Sequence, residues 1–80
     1  MSNRKLTERL NKELDDLGVP GLMTERVQAC SKLFELPKFK IESLLYSGIA
    51  ADVSSLEKIA QELEVTTDWL LGHTNRKKKH

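Results

Sequence analysis

Four leucines near the start of the chain have helical spacing. They recur at intervals of four, four and three residues: Leu6, Leu10, Leu14 and Leu17. This spacing forms one apolar stripe on a helix with 3.6 residues per turn, so a first helix is predicted over residues 4–17. Gly18 and Pro20 follow, and both residue types favour a turn over a continued helix. The sequence therefore predicts a loop after this helix.

Two further helices are predicted on either side of a short connection. Thr24 is a suitable N-cap for the second helix. Its inward positions are Val27, Cys30, Ser31 and Phe34. This helix is expected to end near Glu35, and Pro37, which is tolerated in the first turn of a helix, opens a third helix that runs to Ser47. The connection of roughly three residues is typical of a helix-turn-helix unit.

The clearest amphipathic pattern lies in the C-terminal half. Asp52 is a good N-cap for a fourth helix. The apolar positions of that helix keep helical spacing: Val53, Leu56, Ile59, Ala60 and Leu63. Thr66 caps a short fifth helix that ends at Gly72. An all-α fold follows, with a compact five-helix domain over residues 1–72 and a basic, disordered tail over residues 73–80, which has no apolar side chain to bury.

Composition narrows the setting in which the protein works. Eighty residues suffice for one core only. The single cysteine, Cys30, cannot form an internal disulfide and is expected in the core, which fits a reducing cytoplasm. No apolar run approaches the roughly 20 residues of a membrane span. We therefore expect a cytoplasmic, nucleoid-associated protein.

The residues offer little material for catalysis or metal binding. His73 and His80 have no cysteine or carboxylate cluster near them in the sequence that would complete a metal site. No Ser/His/Asp arrangement, paired carboxylates or Gly-rich phosphate loop is recognisable. The expectation is a protein that is not an enzyme and has no cofactor, metal or small-molecule ligand.

Two groups of residues carry a resemblance: the segment LEKIAQELEVTTDWLLG, from Leu56 to Gly72, and the five residues Arg26, Gln28, Lys32, Leu33 and Phe34. Together they resemble the lambda-repressor-like, Cro/CI-type (XRE) helix-turn-helix domains, including phage repressors. The segment is similar to the family ending L-x-K-I-A-x-x-L-x-V-[ST]-x-D-W-L-L-G, and the five residues stand where phage-type members begin the motif. Two features depart from the family pattern. Glu35 occupies the usual glycine position of the turn, and the segment 44–48 is one residue longer.

The resemblance implies a sequence-specific transcriptional regulator, a small repressor that binds a palindromic operator in double-stranded DNA as a homodimer. In such units the second helix of the motif enters the major groove near its N-terminus. The predicted DNA contacts are Arg26, Gln28, Lys38, Phe39, Lys40 and Ser43. Possible contacts to the DNA backbone are Lys32 and the basic run Arg76, Lys77, Lys78 and Lys79.

Charge keeps a second interpretation open. Thirteen Lys and Arg face twelve Asp and Glu, a net charge of +1, and Glu35 and Glu42 lie close to the motif. A protein-interaction module on the same fold, such as an antirepressor or an antitoxin, would have these properties too, because fold does not determine function. Trp69 is predicted to anchor the last helix, with Leu70 and Leu71 beside it as candidates for a dimer surface.

Overall fold

The computed structural model describes residues 3–49 and 52–77. Within these ranges the chain forms five helices and no strand, which confirms the predicted all-α bundle. The helices are α1 (Arg4–Asp16), α2 (Met23–Phe34), α3 (Lys38–Glu42, continued by a π-helical turn, Ser43–Ser47), α4 (Val53–Leu63) and α5 (Thr67–Leu71). None of the helices in the described ranges has the length and apolar character needed to cross a bilayer.

All five helices contribute to one core. Its buried side chains from the helices are Leu6, Leu10, Leu14, Val27, Cys30, Phe34, Ile41, Leu44, Leu45, Leu56, Ile59, Ala60 and Leu70. Cys30 packs here as predicted, and burial raises the pKa of its thiol. Leu70 is also fully buried and Leu71 is half-buried, so the suggestion that these two leucines form a dimer surface is wrong for Leu70.

Two apolar residues that the periodicity placed in the core lie on the surface instead. Leu17 is 62% exposed and Val53 is 71% exposed. α1 ends at Asp16, and Gly18, with a φ of 80°, turns the chain away before Leu17 can join the leucine stripe. Val53 is the first residue of α4, directly after its cap. Periodicity fails at both positions because each lies at a helix end.

The predicted caps are confirmed in the second half of the chain. The Asp52 carboxylate accepts from the Ser55 N–H at 2.6 Å, and the Thr66 hydroxyl accepts from the Trp69 N–H at 3.0 Å. The predicted cap at Thr24 is wrong, because α2 begins at Met23 and has Leu22, two residues before Thr24, at its N-cap position without a side-chain hydrogen bond.

The extra residue noted in segment 44–48 coincides with the π-helical turn Ser43–Ser47. One π-type turn holds one residue more than an α-helical turn, and here it lets both Leu44 and Leu45 point into the core. The Asn11 side-chain amide donates to the Leu45 carbonyl at 3.0 Å. Gly48 ends the turn with a φ of 68°, and a Cβ on it would lie 2.5 Å from the Asn3 carbonyl oxygen. Only glycine fits this approach of α3 to α1.

The C-terminal segment 73–77 packs against α1 and α5, so the prediction of a disordered tail is wrong for these residues. The Arg9 guanidinium donates to the Thr74 carbonyl at 2.9 Å, and the Thr66 N–H donates to the Lys77 carbonyl at 3.0 Å. The Lys77 ammonium lies 2.7 Å from the Glu13 carboxylate and 5.4 Å from the centre of the Trp69 ring. Residues 78–80 lie outside the described ranges. Polar contacts hold this segment, which an expectation based on apolar burial overlooks.

Arg26 joins α1, the following loop and α2. Its side chain is 4% exposed. The guanidinium donates to the Pro20 carbonyl at 2.8 Å, to the Val19 carbonyl at 3.1 Å and to the Asn11 side-chain oxygen at 2.9 Å, and it pairs with the Asp15 carboxylate. A buried cation on α2 whose acceptors lie on α1 and on the following loop fixes the relative positions of these three segments.

We expect Arg26→Met to lower the free energy of unfolding by at least about 2 kcal/mol, because a single charge-assisted hydrogen bond contributes about 1.5–3 kcal/mol and the variant loses several of them. Urea denaturation followed by circular dichroism measures this change. The control is Lys12→Met, since Lys12 pairs with Asp16 at 3.8 Å on an exposed surface and should contribute less than about 1 kcal/mol. Equal losses in the two variants would contradict the structural role of Arg26.

Candidate nucleic-acid interface

The turn between α2 and α3 consists of three residues, Glu35 to Pro37. Glu35 has a φ of 54° and a ψ of 48°, the left-handed conformation that glycine adopts most easily. The Leu36 N–H donates to the Ser31 carbonyl at 3.1 Å, and the Ser31 hydroxyl donates to the Leu36 carbonyl at 2.6 Å. The turn is therefore closed from both sides by Ser31, and a glutamate takes the conformation expected of a glycine.

The outward side of α3 is set by the residues on its inner side. Ile41, Leu44 and Leu45 are buried, so the opposite side faces solvent. Its exposed or partly exposed residues are Lys38, Phe39, Glu42 and Ser43. Phe39 is 66% exposed and makes this the more apolar part of the face. Of the predicted DNA contacts on this helix, three therefore share one surface: Lys38, Phe39 and Ser43.

Lys40 is only partly exposed, because its side chain pairs with a carboxylate and is not free as predicted. Its ammonium lies 2.8 Å from the Asp52 carboxylate, and its side chain is only 26% exposed. The hydrogen bond from Lys40 and that from the Ser55 N–H lower the pKa of Asp52 from its ordinary value of 3.8 to about 2. The pair connects α3 to the cap of α4.

The two predicted contacts at the start of α2 have different surroundings. Arg26 is buried, and its guanidinium is hydrogen-bonded to acceptors within the protein. The prediction that it contacts DNA is wrong for this reason. Gln28 is exposed, and Lys32, one turn further along the same helix, is exposed as well. Both remain available at the surface beside α3.

The basic residues near the C-terminus lie on another side of the molecule. Asn11 and Asp15 of α1 contact Arg26, whereas Arg9 and Glu13 contact the segment 73–77. Residues two apart on a helix are separated by about 200° around its axis, so α2 and this segment lie on opposite flanks of α1. The predicted backbone contacts at Arg76 and Lys77 are therefore not adjacent to the exposed parts of α2 and α3. Those at Lys78 and Lys79 lie outside the described residues.

Lys58 of α4 is a cation near the turn that the sequence did not indicate. Its ammonium lies 3.5 Å from the Glu35 carbonyl oxygen. The two residues are 23 positions apart in the chain, and only the packing of α4 against α2 brings them together. In the sequence, Lys58 belongs to the L-x-K-I-A pattern and therefore resembles a purely structural position.

Charges on the exposed parts of α2, the turn and α3, which we call the α2–α3 surface, nearly cancel. Exposed cations are Lys32 and Lys38, with Lys58 at the edge, and exposed anions are Glu25, Glu35 and Glu42. Three other cations are paired with carboxylates: Arg26 with Asp15, Lys40 with Asp52 and Lys77 with Glu13. Within residues 3–49 and 52–77, no three His, Cys, Asp or Glu side chains are grouped as metal ligands.

We expect Glu35→Gly to raise the free energy of unfolding by about 0.5–1 kcal/mol, because glycine adopts the left-handed conformation without the steric cost of a Cβ. The matched control is Glu57→Gly in the exposed middle of α4, which should lower it by about 1 kcal/mol. Chemical denaturation of both variants measures the two changes. A destabilised Glu35→Gly variant would contradict the strain assigned to the turn.

The Asp52–Lys40 pair should make stability depend on pH in acid. Because the pKa of Asp52 is lower in the folded state than its ordinary value, the ionised carboxylate stabilises the fold above about pH 4, and this stabilisation disappears between about pH 4 and pH 2. We expect Asp52→Asn to unfold with a weaker pH dependence than the wild type over this interval. The control, Asp16→Asn, should keep the wild-type slope in the same thermal denaturation series.

The chain was compared with protein-family models, curated proteins and solved structures. No protein-family model, no curated protein and no solved structure matches the chain. Its function is therefore inferred from the geometry and chemistry of the α2–α3 surface.

Proposed function

We propose that this protein binds double-stranded DNA sequence-specifically, as a small transcriptional regulator in which α3 enters the major groove. The supporting observation is the three-residue turn, which presents the outward side of α3 with Lys38 and Phe39 exposed. The major groove, about 12 Å wide, admits one helix and displays a distinct pattern of donors, acceptors and methyl groups for each base pair.

The residues of the α2–α3 surface suit different parts of a DNA site. The Lys38 ammonium can donate to guanine O6 and N7, and the Phe39 ring can contact a thymine methyl group. Gln28, Lys32 and Lys58 are exposed, and in the proposed complex they donate to phosphates, which set the register of a protein on the duplex without reading its sequence. Arg26 and Lys40 contribute by positioning α2 and α3.

Binding as a homodimer to a palindromic operator would supply the contacts that one domain lacks. A single small module buries about 600–1,000 Å² on DNA, whereas two modules related by a two-fold axis place two helices in successive major grooves about 34 Å apart. An operator occupied in this way would exclude polymerase. Repression is therefore the regulatory outcome we propose.

A second candidate is a protein-interaction module, and the charge balance of the α2–α3 surface favours it. Phe39 is 66% exposed and Leu33 is 45% exposed, while the charged groups around them nearly cancel. Affinity for DNA depends largely on cations that neutralise phosphates. A partner protein could instead cover the two apolar side chains and would tolerate the loss of a lysine.

The two candidates differ in their response to Lys38→Ala. We expect selection from a pool of randomised duplexes to enrich a two-fold-symmetric motif with the wild type, and we expect Lys38→Ala to weaken binding to that motif by about tenfold or more, since one good base contact discriminates by about 1–3 kcal/mol. Fluorescence anisotropy at two salt concentrations measures the affinities.

The control for this experiment is Lys12→Ala, which removes the same charge from the exposed surface of α1. It should bind the enriched motif nearly as well as the wild type. The proposal of sequence-specific DNA binding fails if the wild type enriches no motif and if the wild type and Lys38→Ala bind all duplexes equally weakly with a steep salt dependence. The protein-interaction candidate is then preferred.

A further inference from the structure

Glu42 is the single acidic residue of α3, and it lies on the outward side of the helix. It is exposed, one turn after Lys38 and three positions after Phe39. Within the described part of the chain it takes part in none of the ion pairs, whereas the carboxylates that neutralise Arg26, Lys40 and Lys77 belong to α1 and to the cap of α4. The proposed DNA-binding surface therefore includes a carboxylate on the outward side of α3.

A carboxylate at this place is unfavourable next to phosphates unless it finds a donor. An ionised glutamate only accepts hydrogen bonds. In the major groove the donors are the N4 amino group of cytosine and the N6 amino group of adenine. Adenine also presents the N7 acceptor beside its amino group, which repels a carboxylate, whereas cytosine presents only the donor. The chemistry of Glu42 therefore matches cytosine.

Lys38 supplies the complementary charge beside Glu42. Residues four apart on a helix have Cβ atoms about 5–6 Å from each other, so Lys38 and Glu42 lie on the same face of α3. A G·C pair displays the same polarity in the major groove, with the O6 and N7 acceptors of guanine next to the N4 donor of cytosine. The two side chains thus match the two edges of a G·C-containing site.

We propose that Glu42 determines specificity by accepting a hydrogen bond from the N4 amino group of a cytosine, while Lys38 donates to guanine in the same half-site. This inference rests on the proposed DNA-binding function and adds the base chemistry that the operator must contain. It also accounts for one of the three exposed anions of the α2–α3 surface, because a carboxylate at Glu42 reads a base edge at the expense of attraction to the backbone.

The test compares the wild type with Glu42→Gln in the same selection from randomised duplexes. Glutamine has the size of glutamate but pairs with the N6 and N7 atoms of adenine. We expect the wild type to enrich a cytosine at one position of each half-site, and Glu42→Gln to enrich adenine at that position with the rest of the motif unchanged. In direct binding, replacing that cytosine by adenine should weaken wild-type binding about tenfold and should strengthen binding of the variant by a similar factor.

A charge-matched control separates base reading from simple repulsion. Glu62→Gln removes one negative charge from the exposed part of α4 and should leave the motif unchanged. Thermal denaturation of each variant, followed through Trp69 fluorescence, should give the wild-type curve and so shows that the variant is folded. If Glu42→Gln only tightens binding to every duplex and keeps the wild-type motif, the role of Glu42 is refuted while sequence-specific binding stands. If the wild type itself enriches no motif, both proposals fall together.

Discussion

The hydrogen bonds of the Arg26 guanidinium determine where α2 begins, and the rest of the α2–α3 surface depends on that point. α2 has no side-chain cap at Leu22, and the loop before it exposes Leu17 and Leu22 instead of burying them. No side-chain cap holds this end of the helix, and Val19 and Val27 provide its apolar packing on the core. The bonds from Arg26 to Asn11, Asp15 and the loop carbonyls add polar contacts that join α2 to α1 and the loop. Once α2 is fixed on α1, Ser31 and the turn direct α3 outward.

A consistent pattern of ion pairing follows from the near-equal numbers of acids and bases. Arg26, Lys40 and Lys77 each pair with a carboxylate from another helix or segment. In these pairs the cations join structural elements. Their charge is neutralised by the carboxylates and no longer attracts phosphates to the surface. A DNA-binding protein built in this way has weak sequence-independent attraction to phosphates, and a larger share of its affinity must come from base edges. In the proposed DNA-binding role, this distribution of charge favours discrimination between sequences over tight non-specific binding.

The sequence predicted the features that depend on neighbours along the chain. The helices, the caps at Asp52 and Thr66 and the position of the turn all follow from periodicity and local hydrogen-bonding chemistry. Exposure of Lys38 and Phe39 was also predicted, because both follow directly after the turn.

The incorrect predictions concern contacts between residues distant in the chain. In the sequence, Arg26 and Lys40 look like ordinary surface cations. Only the tertiary structure brings Asp15, 11 positions away, to Arg26 and Asp52, 12 positions away, to Lys40. Segment 73–77 is held by Arg9, Glu13 and Thr66 through polar bonds that apolar periodicity does not register. The longer segment 44–48 was visible in the sequence, but its accommodation as a π-helical turn was not.

The anchoring of α3 at both ends bears on which partner the surface suits. Lys40 connects its first turn to Asp52, and Asn11 connects its last turn to α1 through the Leu45 carbonyl. Base reading requires donors and acceptors held within hydrogen-bonding distance of fixed atoms, so a rigid helix loses little conformational entropy when it binds. An apolar contact through Phe39 alone would tolerate a looser helix, because the hydrophobic effect is not directional. The double anchoring of α3 therefore fits a surface whose polar groups, Lys38 and Glu42, must meet partners of fixed geometry.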